Sequence, residues 1–384
     1  MAKAVSAAPE KSNGHRARYR DPSFILRLRW LLPAVSALAA CSTLAPSSTP
    51  ASPQPSRISS TTAAARDPVL DALIAQQERV YRVAAPIIIK SAVLCRTQAR
   101  PLLGFTAKNQ YSYPPELMPA ARRQLGLDER LQVMQILDGS GAMRAGLARG
   151  DILQSLQDIA MPQGPQAETE AARLLAPALK NLTEIRVTVL RQGQTLNLQV
   201  PLTLACAFAI DIGHSPNANA YSDGKRILLT RGLLEQLQAD DEIAAIIARE
   251  IAHNVLQHAR QLQQTATLSG VIDSLLPLKP EPSSYTGSGG IKPLPEKMDQ
   301  EADRLALFML ARAGYDTAAL ARASERLVDG APASPTTAQA IPQATSKANT
   351  YNALHPWTAE RRSLIQATIT EIRQKQAARK PLVP

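Results

Sequence analysis

The stretch Arg249-Glu250-Ile251-Ala252-His253 puts a guanidinium, a carboxylate and an imidazole within five residues. On a helix, positions four apart share a face, so 249 and 253 look the same way. Two histidines at that spacing hold a divalent metal, and the glutamate after the first activates the metal-bound water. Here the first of the two is arginine. A guanidinium has five donors, no lone pair to give, and a charge it keeps at any relevant pH. Arg249 therefore cannot ligate a metal and would repel one. Two readings follow: a metal-dependent hydrolase with an altered ligand set, or a scaffold that has lost its metal. Away from any such site, Arg249 would be a solvated helix residue and His253 a satisfied core histidine.

These residues sit on a predicted helix from Asp240 to Gln264. Asp240 and Asp241 suit its N-terminus, and Ile243, Ile246, Ile247, Ile251, Val255 and Leu256 recur at helical spacing. His258, five residues past His253, falls off the ligand face and is expected at the surface. His214 lies in a loop and His15 near the N-terminus, neither with an evident partner. Upstream, Asn219 to Gly224 leads through an Asp-Gly turn into a strand over Lys225–Thr230, then a helix from about Arg231 to Leu237. Downstream, Leu275 to Glu296 is a long loop rich in Pro, Gly and Ser, and Met298 to Ala313 is a helix ending at Gly314. Another irregular stretch fills 331–350, and a last helix follows His355-Pro356, from Thr358 to about Lys375.

The chain has 384 residues, room for two or three domains, and a formal charge of +11. Much of that charge is local, because residues 1–40 carry seven Lys or Arg against two acids. The remaining basic residues form no block, which argues against a nucleic-acid partner. Arg16, Arg18, Arg20, Arg27 and Arg29 precede an apolar stretch, Trp30 to Ala40, that is too short to span a bilayer. Leu38-Ala39-Ala40-Cys41 resembles the lipobox of bacterial lipoprotein signal peptides, which implies lipidation of Cys41. By the same resemblance, Ser42 favours delivery to an outer membrane. Residues 42–66 are Ser, Thr, Pro and Ala with almost no large apolar side chain, and read as a flexible tether. With Cys41 assigned to lipid, Cys95 and Cys206 remain, an even number in an oxidising setting, and a disulfide between them is expected; free buried thiols are the alternative.

Asp67-Pro68 opens a helix that Pro86 should bend or stop. From Pro101 to Leu204 the pattern changes to short strands and turns. Arg130–Ile136 and Ile152–Leu156 read as strands, Ala142–Ala145 and Glu168–Leu179 as helices, and Ile185–Arg191 with Gln194–Val200 as a hairpin about Gln192-Gly193. The run Gly139 to Leu153, with Gly146-Leu147 and Gly150-Asp151, resembles the core of PDZ domains of bacterial envelope proteases. That resemblance makes Leu103-Gly104-Phe105 the loop that would hold a peptide's C-terminal carboxylate, beside a sheet edge that adds a guest strand. A small β-domain without ligand is the competing reading.

Three separated segments carry a wider resemblance. Residues 217–258, then DQEADRLALFMLARAGY at 299–315, then HPWTAER at 355–361, are similar to the zinc metallopeptidase family of CAAX prenyl proteases and HtpX, a gluzincin type. The resemblance implies an α+β fold: a mainly helical zincin-type domain with a small edge-stranded sheet, plus an inserted PDZ-like β-rich domain. The implied order is signal peptide 1–40, tether 41–66, first peptidase helix 67–100, PDZ-like domain 101–204, metallopeptidase-like domain 205–375 and tail 376–384. Carried over by position, Glu250 is the general base, His253 the second histidine ligand, and Arg249 stands at the lost first ligand. Asp299 falls on the acid ligand, usually glutamate, and Asp303 on the residue that orients a ligand. His355 and Arg361 line the site, and His355 is the candidate to complete a distorted site with His253 and Asp299. Glu301 lies two residues from Asp299, nearly opposite on the helix, and is a poor substitute.

Both departures work against zinc, the cofactor that the resemblance implies. Aspartate reaches about 1.5 Å less far than glutamate, while metal–ligand distances tolerate about ±0.2 Å. Arg249 would instead pair with Asp299 or Asp303, bidentate where geometry allows, and replace the metal's charge. Two functions follow. One is a catalytically silent, lipid-anchored module of the bacterial envelope, facing the periplasm. It would hold unfolded or extended polypeptide along an edge strand near Ala220 and in the PDZ-like domain. The other is a working zinc endopeptidase of envelope quality control with altered ligands.

Overall fold

The Asp67 carboxylate accepts from the amides of Val69 and Leu70 and caps the first helix, α1 (Pro68–Lys90), which Pro68 opens. Although a bend or stop is expected at Pro86, the helix continues to Lys90. Ala84, Ala85, Ile87 and Ile88 are all buried around the proline, so packing holds the turn it weakens. The structure is a computed structural model describing residues 66–179, 181–262, 294–329 and 350–384. The expected signal, Cys41, the tether to residue 65 and most of both long loops lie outside the described residues.

After α1, strand β1 (Ala99–Leu102) leads through a tight turn to β2 (Phe105–Lys108). The short helix α2 (Met118–Leu125) and β3 (Gln132–Ile136) follow, then the single turn α3 (Gly141–Arg144). Next come β4 (Ile152–Leu156), β5 (Ile159–Ala160), helix α4 (Ala167–Ala178), β6 (Glu184–Arg191) and β7 (Gln194–Pro201). Strands β2, β3, β4, β6 and β7 form an antiparallel sheet in that order, with β5 paired to β4. Val133, Leu156, Ile185, Val187, Val189 and Val200 fill its core. The β6–β7 hairpin turns where Gln192 and Gly193 both take positive φ, 50° and 79°, the geometry that matches strand twist.

The next strand, β8 (Thr203–Cys206), returns to pair with β1, Ala99 opposite Cys206. Beside this two-stranded seam, Cys95 and Cys206 are joined by a disulfide. A second small sheet follows, of β9 (Ala209–Gly213), β10 (Ala220–Ser222) and β11 (Arg226–Thr230). Its order is β10-β11-β9, with β10 antiparallel and β9 parallel to β11.

The remaining chain is helical: α5 (Arg231–Gln236), α6 (Asp240–Val255), α7 (Glu296–Ala313), α8 (Ala319–Asp329), α9 (Tyr351–Leu354) and α10 (Ala359–Ala377). Helix α6 is the hub, packed on α1, α7, α8, β10 and β11. Every residue from Glu242 to Asn254 is buried, the signature of a helix covered on all sides. It does not run on to Gln264 as one element. The helix ends at Val255, Gln257 takes a left-handed φ of 59°, and a new turn covers 258–262. The fold is α+β, mixed helix and sheet, with the largest core around α6.

Candidate functional site

Helices α6 and α7 cross with their polar residues facing each other, and α9 and the start of α10 close over them. Arg249, Glu250 and His253 come from α6, Asp299 and Asp303 from α7, Tyr351 from α9, His355 from the turn after it, and Arg361 from α10. All eight are buried. An internal cluster of this many ionisable groups is expensive unless each is paired.

Arg249 spans two carboxylates. Its Nη2 lies 2.9 Å from Asp299 Oδ1 and its Nε 3.1 Å from Asp303 Oδ1. Neither N–H is aimed well enough to count as a hydrogen bond, so these are charge contacts first. The aligned contact of Arg249 is from Nη1 to the Tyr351 hydroxyl, at 3.3 Å. The fork-like pair expected for Arg249 is made by Arg361 instead. Arg361 donates from Nε and Nη2 to the two oxygens of Asp303, at 2.8 and 3.1 Å, and from Nη1 to the carbonyls of His355 and Pro356.

Asp299 Oδ1 is the meeting point. His355 Nδ1 is 2.7 Å from it, Arg249 Nη2 2.9 Å and His253 Nε2 3.5 Å. Burial works against its charge, but Arg249, His355 and Arg361 outweigh it and hold the Asp299 carboxyl well below the usual range. The charge on Arg249 is likewise opposed by burial, and Tyr351, Asp303, Asp299 and Glu250 together outweigh it, so the guanidinium stays charged. Burial, with the positive surroundings of His355 and Arg249, pushes His253 well below its ordinary value and keeps it neutral.

Two residues without a chemical signal in the sequence belong to the site. Tyr351 donates from its hydroxyl to Glu250 Oε1 at 2.8 Å, its ring lies 4.6 Å from that of His355, and its amide bonds Ala218 O at 3.0 Å. Burial pushes its phenol well up, so it remains a donor. His258 is the second. The expected surface residue is fully buried, because the break at Gln257 turns it back until its Nδ1 lies 2.9 Å from His253 Nδ1. Its other nitrogen faces Glu301 Oε2 at 3.4 Å, and burial lowers its pKa. A continuous helix would have rotated position 258 well away from 253.

Elsewhere, Ala220 is buried on β10, an edge strand whose lead-in residue Ala218 is already bonded to Tyr351. Leu103, Gly104 and Phe105 lie far along the chain from the buried cluster, on the β1–β2 turn, and line a separate cavity. Gly104 has φ of 81°, and a side chain there would meet Ser140. Cys95 and Cys206 stand at the β1–β8 seam.

Residues 186–369 match the model of peptidase family M48. The match begins inside β6, earlier than the boundary expected at 205, and takes in α6, α7 and the first half of α10. The mitochondrial metalloendopeptidase OMA1 of Schizosaccharomyces pombe is 30% identical over 118 residues, 29% of this chain and 35% of that protein. The beta-barrel assembly-enhancing protease of Yersinia pestis is 30% identical over 128 residues, 29% of this chain and 26% of that protein. The matched part thus spans about a third or less of these relatives. Among solved structures, the HtrA-type protease AlgW with a decapeptide is 28% identical, covering 28% of this chain and 30% of that one, at a TM-score of 0.21. The HtrA3 PDZ domain bound to a phage-derived ligand is 15% identical, covering 28% of this chain and 88% of that one, at 0.20. Scores this low establish no shared fold.

The M48 family is zinc-dependent. A hydrolytic zinc site needs three protein ligands, an open position and a free carboxylate base. The donors here do not fit that requirement. The acid oxygen nearest both histidines is already taken by a permanent cation, and the remaining donors that lie together, Glu250, His253 and His355, approach within 4.8 Å of one another. A cation held by that trio would use Glu250 as a ligand and leave no base.

Proposed function

We propose that this protein is a catalytically silent relative of the M48 peptidases that holds extended polypeptide at the bacterial envelope, anchored by lipid on Cys41. The observation that carries the reading is the Arg249 guanidinium, buried between Asp299 and Asp303 where an intact site keeps its metal. A divalent ion about 4 Å from that charge would be repelled by on the order of 8 kcal/mol at an effective dielectric of about 20. The Tyr351 hydroxyl on Glu250 supports the same reading, since it engages the carboxylate that would otherwise activate water. Residues 101–204 form the inserted PDZ-like domain in this reading, and the open sheet edges supply the peptide-holding surface.

A second reading rests on Glu250, His253 and His355, which together offer the donor set of a metal site. In that reading the protein is a zinc endopeptidase with displaced ligands. Metal analysis of the purified protein, beside an Arg249→His, Asp299→Glu double variant, separates the two. The silent reading expects no stoichiometric zinc in the unaltered protein and a gain of zinc in the double variant. Stoichiometric zinc with chelator-sensitive proteolysis in the unaltered protein would sink it.

A further inference from the structure

A cavity of about 960 Å3 lies apart from the buried ionic cluster, walled by α1, residues 101–108, α4 and β9. Two of its walls are strand edges. β2 is the end strand of its sheet, bonded only to β3, and β9 is the end strand of the smaller sheet, bonded only to β11, among the described residues. All four residues of Phe105–Lys108 and all five of Ala209–Gly213 line this one space, and none of them is fully buried. An unpaired edge presents backbone N–H and C=O groups that need partners. Here two edges, from different sheets, present them to the same cavity.

The side chains add a charge pattern. Lys108 and Asp211 both line the cavity, and neither makes a hydrogen bond or ion pair with the described residues; the Lys108 ammonium only lies over the Tyr113 ring at 5.4 Å. Burial lowers the pKa of Lys108, with Glu168 and Asp211 acting against it, and burial raises that of Asp211. The two charges act on each other across the cavity, and Glu168 and Arg226 add to them, but none of these is a direct ion pair, so a guest's charged side chain can still contact each. Ile74, Val80, Ile88, Leu175 and Leu228 supply apolar surface around them.

We propose that this cavity takes an extended polypeptide segment of four or five residues as a bridging strand, paired to β2 on one side and β9 on the other. The strand carries an acidic side chain to Lys108 and a basic one to Asp211, with apolar residues between. The proposal rests on the peptide-holding reading above and names the site and the class of segment that fills it. Four to five residues of strand span roughly 13–17 Å, the length of either edge. Because β9 adjoins the strand that runs into α5 and α6, a guest here ties the β2 edge of the larger sheet to the helical core.

Consecutive N–H groups of a strand point to opposite sides, and this supplies the test. The probe is a fluorescein-labelled peptide, Val-Glu-Val-Lys-Val, added to the full-length protein and followed by anisotropy and by hydrogen exchange. Exchange should slow in both 105–108 and 209–213, and Lys108→Met and Asp211→Asn should each weaken binding several-fold. N-methylation at the second residue and, separately, at the third should each weaken binding at least tenfold, since a bridging strand uses both sides. If one methylation is tolerated while the plain peptide binds, or if only 105–108 slows, the bridging strand is overturned and the peptide-holding reading stands. No binding of the plain peptide overturns both.

Discussion

Arg249 Nη2 lies 2.9 Å from Asp299 Oδ1, with each side chain only about 1% exposed. At the same oxygen sit His355 at 2.7 Å and His253 at 3.5 Å, so one carboxylate oxygen faces a guanidinium and two imidazole rings. Arg249 thus bridges α6 to α7 by charge, which in the silent reading takes the place of a metal.

Breaking that pair should be costly. Arg249→Met leaves Asp299 charged, buried and short of its main counter-charge, and should lower stability by about 3–5 kcal/mol. Adding Asp299→Asn should recover a large part of the loss, because the stranded charge is gone. Urea denaturation of the two single variants and the double gives the coupling directly. Independent, additive losses would mean that the two residues do not depend on each other.

How far the sequence reaches is clear from where its readings stop. Period 3.6 over 243–256 is enough to find α6, and the Gln192-Gly193 turn is enough to find the β6–β7 hairpin. The periodicity says nothing about the break at Gln257, since one left-handed residue carries no compositional mark when it is not glycine. That break is why His258 is buried beside His253 and not at the surface. β9 escapes notice because five residues in parallel pairing give no hairpin turn and too short a pattern. Arg249 is legible from the spacing of its motif and the two aspartates from the family resemblance, whereas the choice of Arg361 for the forked pair depends on how α10 enters the site. Tyr351 has no pattern at all, and only the tertiary fold brings it to Glu250.

Tyr351→Phe keeps the ring and removes one hydroxyl. That deletes the donor to Glu250 and the acceptor for Arg249 in a fully buried setting. A loss of about 1–3 kcal/mol is expected, the range for leaving a buried polar partner unsatisfied. Thermal and chemical unfolding check it, and a change within error would show that the Glu250 carboxylate finds another partner.

Glu371 gives a pH dependence outside the site. Hydrogen bonds from Arg304 and then Lys375 pull its pKa from 4.5 down to about 2. The unfolded chain therefore takes up this proton first as pH falls. Stability from Glu371 is fully present above about pH 4.5 and is lost as pH drops towards 2. Glu371→Gln should flatten the stability slope in that window and leave the slope above pH 5 unchanged. An identical acid slope in the variant would remove Glu371 from the account.

The Cys95–Cys206 disulfide joins residues 111 apart in sequence and clamps the β1–β8 seam. Replacing both cysteines by serine should cost about 2–5 kcal/mol, because the unfolded chain regains the freedom of a long loop. Non-reducing peptide mapping should recover the two cysteines in one linked fragment. Full alkylation without reductant would contradict the pairing.

Gly141 is where the α3 turn meets the end of β7. Its amide donates to Thr203 Oγ1 at 2.8 Å, and a Cβ there would fall 1.7 Å from the Pro201 carbonyl oxygen. That atom is backbone and cannot rotate away, so Gly141→Ala must push the β7–β8 junction outward and break the Thr203 contact. A loss of about 3 kcal/mol, the upper part of the usual range for overpacking, is expected. Gly139, two residues earlier, supplies the control. It has nothing within 4 Å of its would-be Cβ but holds a φ of 77°. Gly139→Ala should cost about 1 kcal/mol through backbone strain alone. The two effects differ in reach as well as size. Gly141→Ala should speed hydrogen exchange along β7 and β8, whereas Gly139→Ala should change only its own turn. Equal losses with equally local exchange would mean that the α3 turn floats free of β7.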